Sequence, residues 1–451
     1  MLKKIKIHQG VNLNIDGEAE KIIVDLPRSR TYGVKPDDFF TIVPKLLVKE
    51  GDKVKNGTPL FFSKKNPRIN FVSPVSGIVT SIVRGPKRKI LEIIITDDKK
   101  NDSVFFETTS HEKLTLDEIK ELILKSGFWP FIKQRPYDII SSPEDTPKSI
   151  FISCFSTVPL AVDYDFLLKN DKEDFQLGVN ILKRLTSGDI FLGLDSAFNG
   201  FFKDIENVKK ISVDGPHPSG NVGIQIHKID PINYGDKVWT LNPEDVSNLG
   251  VFFRTGKFSS KRTIALVGNS VKKRQYYKTT IGTSISTILE FSGFDFNKNN
   301  RIINGDLLSG ITSGPDSYLG YYNNLLSVLD EGNSYRFMGW IPFLDNHILS
   351  LSRTSLSWLF SKKKHNVNSN MNGEERAIVV TGEMEKVFPM DIYPMELIKA
   401  CLNQDIEKME ALGIYEVAPE DFGLIDYAST SKIEAQEIIK SGIELMINEV
   451  G

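Results

Sequence analysis

The chain has 451 residues, 40% hydrophobic and 25% charged, with a formal net charge of −2. This is the balance of a folded globular protein of several domains, at roughly 100–200 residues each, and it excludes general disorder and fibrous repeats. The near-zero charge leaves no global positive field, so nucleic acid is not an expected partner. Two distant cysteines, Cys154 and Cys401, support neither a disulfide framework nor an iron–sulfur cluster, and no apolar stretch reaches the roughly 20 residues that span a bilayer. The start, Met1-Leu-Lys-Lys-Ile-Lys-Ile-His8, lacks an apolar signal core, which predicts a chain that stays in the cytoplasm.

Residues 1–40 form an N-terminal segment. From Thr41 to Asp98 short strands punctuated by Gly and Pro predict a small β-sandwich over 41–110. Within it, Val48-Lys-Glu-Gly-Asp-Lys-Val-Lys-Asn-Gly57 and Ser73-Pro-Val-Ser-Gly77-Ile-Val-Thr-Ser-Ile82 look like the half-motifs of a lipoyl or biotinyl carrier domain. A carrier needs an exposed lysine at its hairpin tip. Alignment places Asn66-Pro67 there, with Lys64 and Lys65 off register, so a scaffold sandwich is the favoured reading. Arg84, Lys87, Arg88 and Lys89 form a basic hairpin turn, a solvated tip or, second, a contact for anionic lipid or a membrane partner.

Residues 111–258 change to helical and then alternating character. Thr115 and Glu118 make a capping box, Leu116, Ile119, Leu122 and Ile123 one apolar face, and Gly127 a stop. An aromatic and basic stretch follows, Phe128-Trp-Pro-Phe-Ile-Lys-Gln-Arg-Pro136. The spacing then predicts a strand over Ser149–Phe155, a helix through Phe175, Val179, Leu182 and Leu185, a strand over Asp189–Leu194, a helix carrying Phe198, Phe202 and Ile205, and a strand over Lys210–Val213. Alternation of this kind is a doubly wound, Rossmann-like unit.

Its nucleotide motifs are missing. Cys154-Phe-Ser-Thr-Val-Pro159 has no glycines where a dinucleotide fingerprint would place them, and Gly250 to Gly256-Lys257 ends in Phe258, where a phosphate loop needs Ser or Thr. His217 and His227, around Gly215-Pro-His-Pro-Ser-Gly220, lack acidic or thiol ligands at metal-site spacing, which favours an ordered surface loop. No Gly-x-Ser-x-Gly elbow occurs.

Residues 259–360 begin with Arg262-Thr-Ile-Ala-Leu-Val267 and a basic turn at Lys272–Arg274, predicting a compact β unit with one helix and a mixed segment after it. Ser361–Glu375 is polar and reads as a linker or long loop. The last unit, 376–451, is helical: Met395, Ile398 and Leu402 share a stripe, and Ser431 with Glu434 caps a further helix.

In this order the chain resembles the A subunit (NqrA) of the sodium-translocating NADH:quinone reductases over nearly its full length. The resemblance is carried by Lys64-Lys-Asn-Pro67, Phe71-Val-Ser-Pro-Val-Ser-Gly77, Phe128-Trp with Arg135-Pro136, Ser149-Ile-Phe-Ile, Gly215-Pro-His-Pro-Ser-Gly220 with Ile226-His227, Ile264-Ala-Leu-Val-Gly268, Tyr318-Leu-Gly-Tyr-Tyr322 and Gly339-Trp-Ile341. It implies an α/β multidomain fold: a lipoyl/biotinyl-like sandwich, a Rossmann-like domain, a small β-grasp-like (SLBB) domain and a helical C-terminal domain. It also implies a peripheral position on the cytoplasmic face of the inner membrane, among the B to F partner proteins of the complex and chiefly against the membrane-embedded NqrB. That complex oxidises NADH, reduces ubiquinone or another quinone, and exports Na+. FAD, FMN, riboflavin and iron–sulfur centres belong to the partners, and neither catalytic residues nor a metal are expected in this chain.

The same fold is implied, more distantly, for the C component of the Rnf complex and the flavin-binding component of respiratory complex I, where a Gly-rich loop holds flavin. Here the corresponding stretch is aromatic, and Trp129, Phe131 and Tyr137 would crowd a flavin phosphate. Where many family members keep two cysteines, this chain has Ile425-Asp-Tyr-Ala-Ser429-Thr-Ser431. The family's association with quinone implies Trp129 and Phe131 stacking on the ring, with Arg135 as donor and Tyr137 beside them. Arg30, Thr31 and Tyr32 are the second choice. For both sets a structural role, a buried aromatic plug filling a lost flavin pocket, is the stronger alternative. Two other functions stay open: a free-standing flavin- or nucleotide-dependent oxidoreductase, and an adaptor outside any sodium pump.

Overall fold

The computed structural model describes residues 3–108, 111–332, 338, 341, 348–351, 356–360 and 362–450; Gly339 and Trp340, part of the resemblance, lie outside the described residues. In the strand Ser149–Ser153 four of five side chains are buried, the continuous apolar run of a parallel strand covered on both faces. It pairs in parallel with Asp189–Asp195 on one side and Val238–Thr240 on the other. The full sheet has seven strands in the order Lys3–Lys6, Lys209–Asp214, Asp189–Asp195, Ser149–Ser153, Val238–Thr240, Lys133–Arg135, Ile139–Ile140. The first five run parallel, Lys133–Arg135 runs against them, and Ile139–Ile140 pairs antiparallel with Lys133–Arg135.

From Ser149–Ser153 the chain steps outward through two strands and then returns to the opposite side at Val238–Thr240. That reversal is the topological switch point, where the crevice beyond the carboxyl ends of an open sheet takes ligands. On one face lie the helices Lys172–Arg184 and Pro243–Thr255. A Cβ at Gly178 would sit 2.0 Å from the carbonyl of Val246, and one at Gly250 1.8 Å from that of Asp174, so the helices touch backbone to backbone. The other face is covered by Val222–Ile229 and the C-terminal helices, sharing one core that includes Phe151, Ile211, Ile224, Leu397 and Ile439.

The helix after residue 114 forms as its ends dictate. Glu118 N donates to Thr115 Oγ1 at 3.3 Å, Thr115 N donates to the Glu118 carboxylate at 2.6 Å, and Gly127 closes Leu116–Ser126 at φ 79°, a conformation that favours glycine. The segment carrying Phe198, Phe202 and Ile205 departs from expectation. It is a single 3-10 turn, Phe201–Asp204, because the connection between the strands at Asp195 and Lys209 is short and is interrupted at Gly200 and by Asn207 at φ 62°. Its rings still pack: Phe202 meets Phe175 edge-on at 5.0 Å.

The first sandwich joins the sheet Thr31–Val34, Ile90–Asp97, Gly77–Arg84, Lys53–Val54 to the sheet Pro44–Leu46, Pro59–Ser63, Asn70–Val72. Phe61 and Phe71 stack at 4.5 Å inside it. A third, six-stranded sheet contains Lys261–Val267, Gln275–Thr280, Asn300–Asn304 and Leu325–Asp330 and packs on the helix Ile285–Ser292. The first 34 residues give a strand to each system: Lys3–Lys6 to the seven-stranded sheet, Glu20–Asp25 to the third, Thr31–Val34 to the sandwich.

Two C-terminal expectations are corrected. Ser431 does not cap the helix Ala435–Glu449. Asp426 does, accepting from Ala435 N at 2.6 Å and Gln436 Nε2 at 2.7 Å, while Ser431 Oγ donates to the Ala377 carbonyl. The polar stretch after Ser361 is not a free linker but a strap: His365 N donates to Asn14 O, Asn269 Nδ2 donates to Val367 O, and Gly332 N donates to Ser369 Oγ. Pairing of its backbone, not apolar content, holds it down.

Candidate functional site

A cleft of about 370 Å³ opens at the switch point. Ser153 and Thr240, at the carboxyl ends of adjacent strands, form part of its floor, and the N-terminal ends of the helices Val222–Ile229 and Pro243–Thr255 face it. Phe131 and Lys133 form one wall, Asp306, Tyr322 and Asn323 come from the third sheet system, and Glu420 comes from the C-terminal helices.

Two buried arginines organise this region. Arg135 is fully buried and faces Glu420 at 2.7 Å, Asp138 at 3.4 Å and Asp421 at 3.6 Å, and Lys133 holds Asp138 at 2.9 Å. Arg262, also fully buried, faces Asp245 at 2.9 Å and Glu244 at 3.4 Å and donates to the Tyr321 carbonyl. Three cationic side chains thus meet five carboxylates. Burial pushes Asp245 up to about 6, against the pull of Arg262 and with the Glu244 charge adding to it. Burial raises Glu244 and Asp421 as well.

The residues singled out in the sequence separate in the structure. Trp129 is fully buried, its Nε1 donating to the Ser141 carbonyl at 2.8 Å and its ring edge-on to Trp239 at 5.6 Å. Phe131 stacks on Tyr321 at 4.9 Å, has the Arg262 guanidinium 5.8 Å from its centroid, and lines the cleft. Arg135 is committed to its carboxylates. Tyr137 lies 5.9 Å from the Tyr415 ring. Thr31 and Tyr32 belong to the sandwich: Tyr318 donates to Thr31 Oγ1, Ser29 N donates to the Tyr32 hydroxyl, and Arg30 is exposed.

The carrier-like tip is docked. Arg68 pairs with Glu121 at 2.7 Å and Glu144 at 3.1 Å, and Asn66 donates to Glu144. Gly250 stands inside a helix, far from any phosphate-loop geometry. His227 joins domains, with Nδ1 2.7 Å from Glu416 and Nε2 accepting from Asp391 N. Among the described residues no cluster of His, Cys, Asp or Glu could hold a metal ion. Both cysteines are buried, and burial pushes the Cys401 thiol up to about 11.

Sequence reasoning passed over the loop Gly215–Gly220 as a surface feature. His217 is 2% exposed and lines the cleft, with Nδ1 3.1 Å from Thr157 Oγ1. Thr157 Oγ1 also accepts from Gly220 N at 2.9 Å, while Val11 N donates to the His217 carbonyl and Asn12 Oδ1 accepts from His217 N. Burial pulls the imidazole down to about 4, partly opposed by Asp306, so the ring is neutral. The signal available in sequence was the Pro-flanked histidine itself.

Family models match three stretches: the NqrA N-terminal barrel-sandwich hybrid domain over residues 5–98, the NqrA second alpha/beta domain over 114–258, and the NQRA C-terminal domain over 263–314. The A subunit of the Na(+)-translocating NADH-quinone reductase of Neisseria meningitidis serogroup B is 34% identical over 450 residues, covering 99% of this chain and 100% of that protein. The protein of the same name from Pasteurella multocida is also 34% identical, with the same coverage. A solved NAD+-reducing NiFe hydrogenase shares 10% identity at a TM-score of 0.41, covering 76% of this chain and 63% of that one, a likeness too slight to carry an argument. Among the described residues no helix is long and apolar enough to cross a membrane. With a relative matched from end to end and three domains matched in chain order, the chain belongs to the NqrA family, the A subunits of the Na+-translocating NADH-quinone reductases.

Proposed function

We propose that this chain is the peripheral A subunit of a Na+-translocating NADH:quinone reductase, docked on the cytoplasmic face chiefly against the membrane-embedded NqrB. In this reading the chain supplies structure and one wall of a quinone contact, while the flavins and iron–sulfur centres belong to the B to F partner proteins. The observation that carries it is the end-to-end match at 34% identity, which leaves no unmatched domain to support a separate activity.

Within the proposal the switch-point cleft is where quinone meets the chain. Phe131 is the ring contact, because it alone of the six sequence candidates lines that cleft. Trp129, Arg135 and Tyr137 hold the wall behind it, and Arg30 and Tyr32 take no part. The surplus of carboxylates supports an uncharged ligand over a flavin phosphate or a dinucleotide.

The test is to tag the chain at its native locus, solubilise the membranes in mild detergent and purify it. Co-purification of a multi-subunit NADH:quinone reductase, with a flavin-free chain on dissociation, is the expected result. Elution of the chain alone with bound flavin overturns the reading in favour of a free-standing oxidoreductase.

A further inference from the structure

Thr157 and Gly220 fix the proton on His217. Thr157 Oγ1 already accepts from Gly220 N, and among the described residues its hydroxyl proton has one acceptor within reach, His217 Nδ1 at 3.1 Å. The assignment that satisfies every group therefore has Thr157 donating to Nδ1, which places the imidazole proton on Nε2. No hydrogen bond to Nε2 is formed among the described residues, and the ring lines the cleft. Backbone bonds from Val11 and to Asn12, and the Ser219 hydroxyl donating to the Gly215 carbonyl, hold the loop in this geometry.

The rest of the lining decides what such a donor can meet. Asp138, Asp245, Asp306 and Glu420 border the cleft, with Lys133 as its one lysine or arginine among the described residues, itself 2.9 Å from Asp138 and 4.8 Å from the Tyr322 ring centroid. Against the pull of the two helix N-termini, a phosphate or carboxylate entering here meets the like charge of these four carboxylates. An uncharged ligand does not, and Phe131 and Tyr322 offer it aromatic walls.

We infer that His217 is the specificity-determining donor of the cleft: its Nε2–H, set by Thr157, bonds the carbonyl oxygen of an uncharged ring, and the surrounding carboxylates turn away phosphate-bearing ligands. The inference rests on the reading that this cleft takes the quinone.

It is tested in the assembled, purified complex with a short-chain ubiquinone as acceptor and a photoreactive quinone as label. Loss of one hydrogen bond to a neutral acceptor is worth ~3–10-fold in KM. His217→Leu and Thr157→Val should raise the quinone KM by that factor with little change in kcat. His217→Gln, which keeps an N–H at similar reach, and Thr157→Ser, which keeps the hydroxyl, should stay near wild type. FMN at millimolar concentration should leave photolabelling of cleft peptides undiminished.

Wild-type-like KM in His217→Leu, with cleft peptides still labelled, overturns the role of His217 and leaves the quinone reading standing. Equal impairment of His217→Gln and His217→Leu makes the residue structural and also overturns it. Competition by FMN overturns the exclusion of phosphates. If the label reaches no cleft peptide in the wild-type complex, the quinone reading itself falls and takes the inference with it.

Discussion

Arg135 illustrates how little of a buried charge is visible in sequence. It stood out as a charged donor for a quinone oxygen in an aromatic and basic run, yet it is fully buried between Asp138 and two carboxylates, Glu420 and Asp421, that lie about 285 residues later in the chain. Removing one partner of a buried charge cluster strands the others, at a cost of roughly 3–5 kcal/mol. Arg135→Met should therefore lower stability by about that amount in urea titration, and it should open the C-terminal helices to limited proteolysis before the sandwich. His217 sets a pH dependence of definite sign. Its folded value of about 4 lies below the ordinary 6.5, so the unfolded chain binds the extra proton between those values. The contribution is complete above pH 6.5 and is lost as pH falls toward 4, by ~3 kcal/mol over the window. His217→Gln should flatten that acid limb in denaturation curves recorded across the same range.

At the scale of elements, local rules worked where local chemistry decides. The helix Leu116–Ser126 begins and ends where Thr115, Glu118 and Gly127 require, and Thr115→Ala should cost ~1 kcal/mol in chemical denaturation. The strands around Ile150 and Leu192 were legible from their apolar runs. The cap of the last helix was not, because Asp426 reaches it through the folded chain from nine residues before Ala435, outside any capping-box spacing. The contact between Lys172–Arg184 and Pro243–Thr255 was equally hidden: Gly250 drew attention as a phosphate-loop glycine and serves as a close-approach residue. Gly250→Ala must push its new methyl into the Asp174 carbonyl, so the helices must part. A loss of ~1–3 kcal/mol in thermal or urea unfolding is expected, larger than for Gly→Ala at an uncrowded helix position.

Across the whole molecule, three folding systems are stitched together by the N-terminal segment and by the strap after Ser361. Domain composition could be read from alternation, periodicity and turns, whereas the pairing of Lys3–Lys6 with Lys209–Asp214 and of Glu20–Asp25 with Gln275–Thr280 left no local trace. The same segment holds the cleft loop, through Val11 and Asn12 against His217. Removing the first 12 residues should expose the loop Gly215–Gly220 to protease while the sandwich stays resistant, and a mass-spectrometric map of early cleavage sites would show it. If cleavage instead begins in the sandwich, the stitching argument fails.

That segment also sets a timetable for synthesis. Strands that leave the ribosome first wait for partners made about 200 and about 250 residues later, which at ~5–20 residues per second is a delay of ~10–50 s. Vectorial, domain-by-domain folding is thus closed to the central sheet and the third sheet, and two nascent β-edges stay unpaired until those partners emerge. Their sequences suit the wait: Lys3-Lys-Ile-Lys6 is dense in charge, and Glu20-Lys-Ile-Ile-Val-Asp25 is flanked by it, the pattern that discourages edge-to-edge association with another unfinished chain.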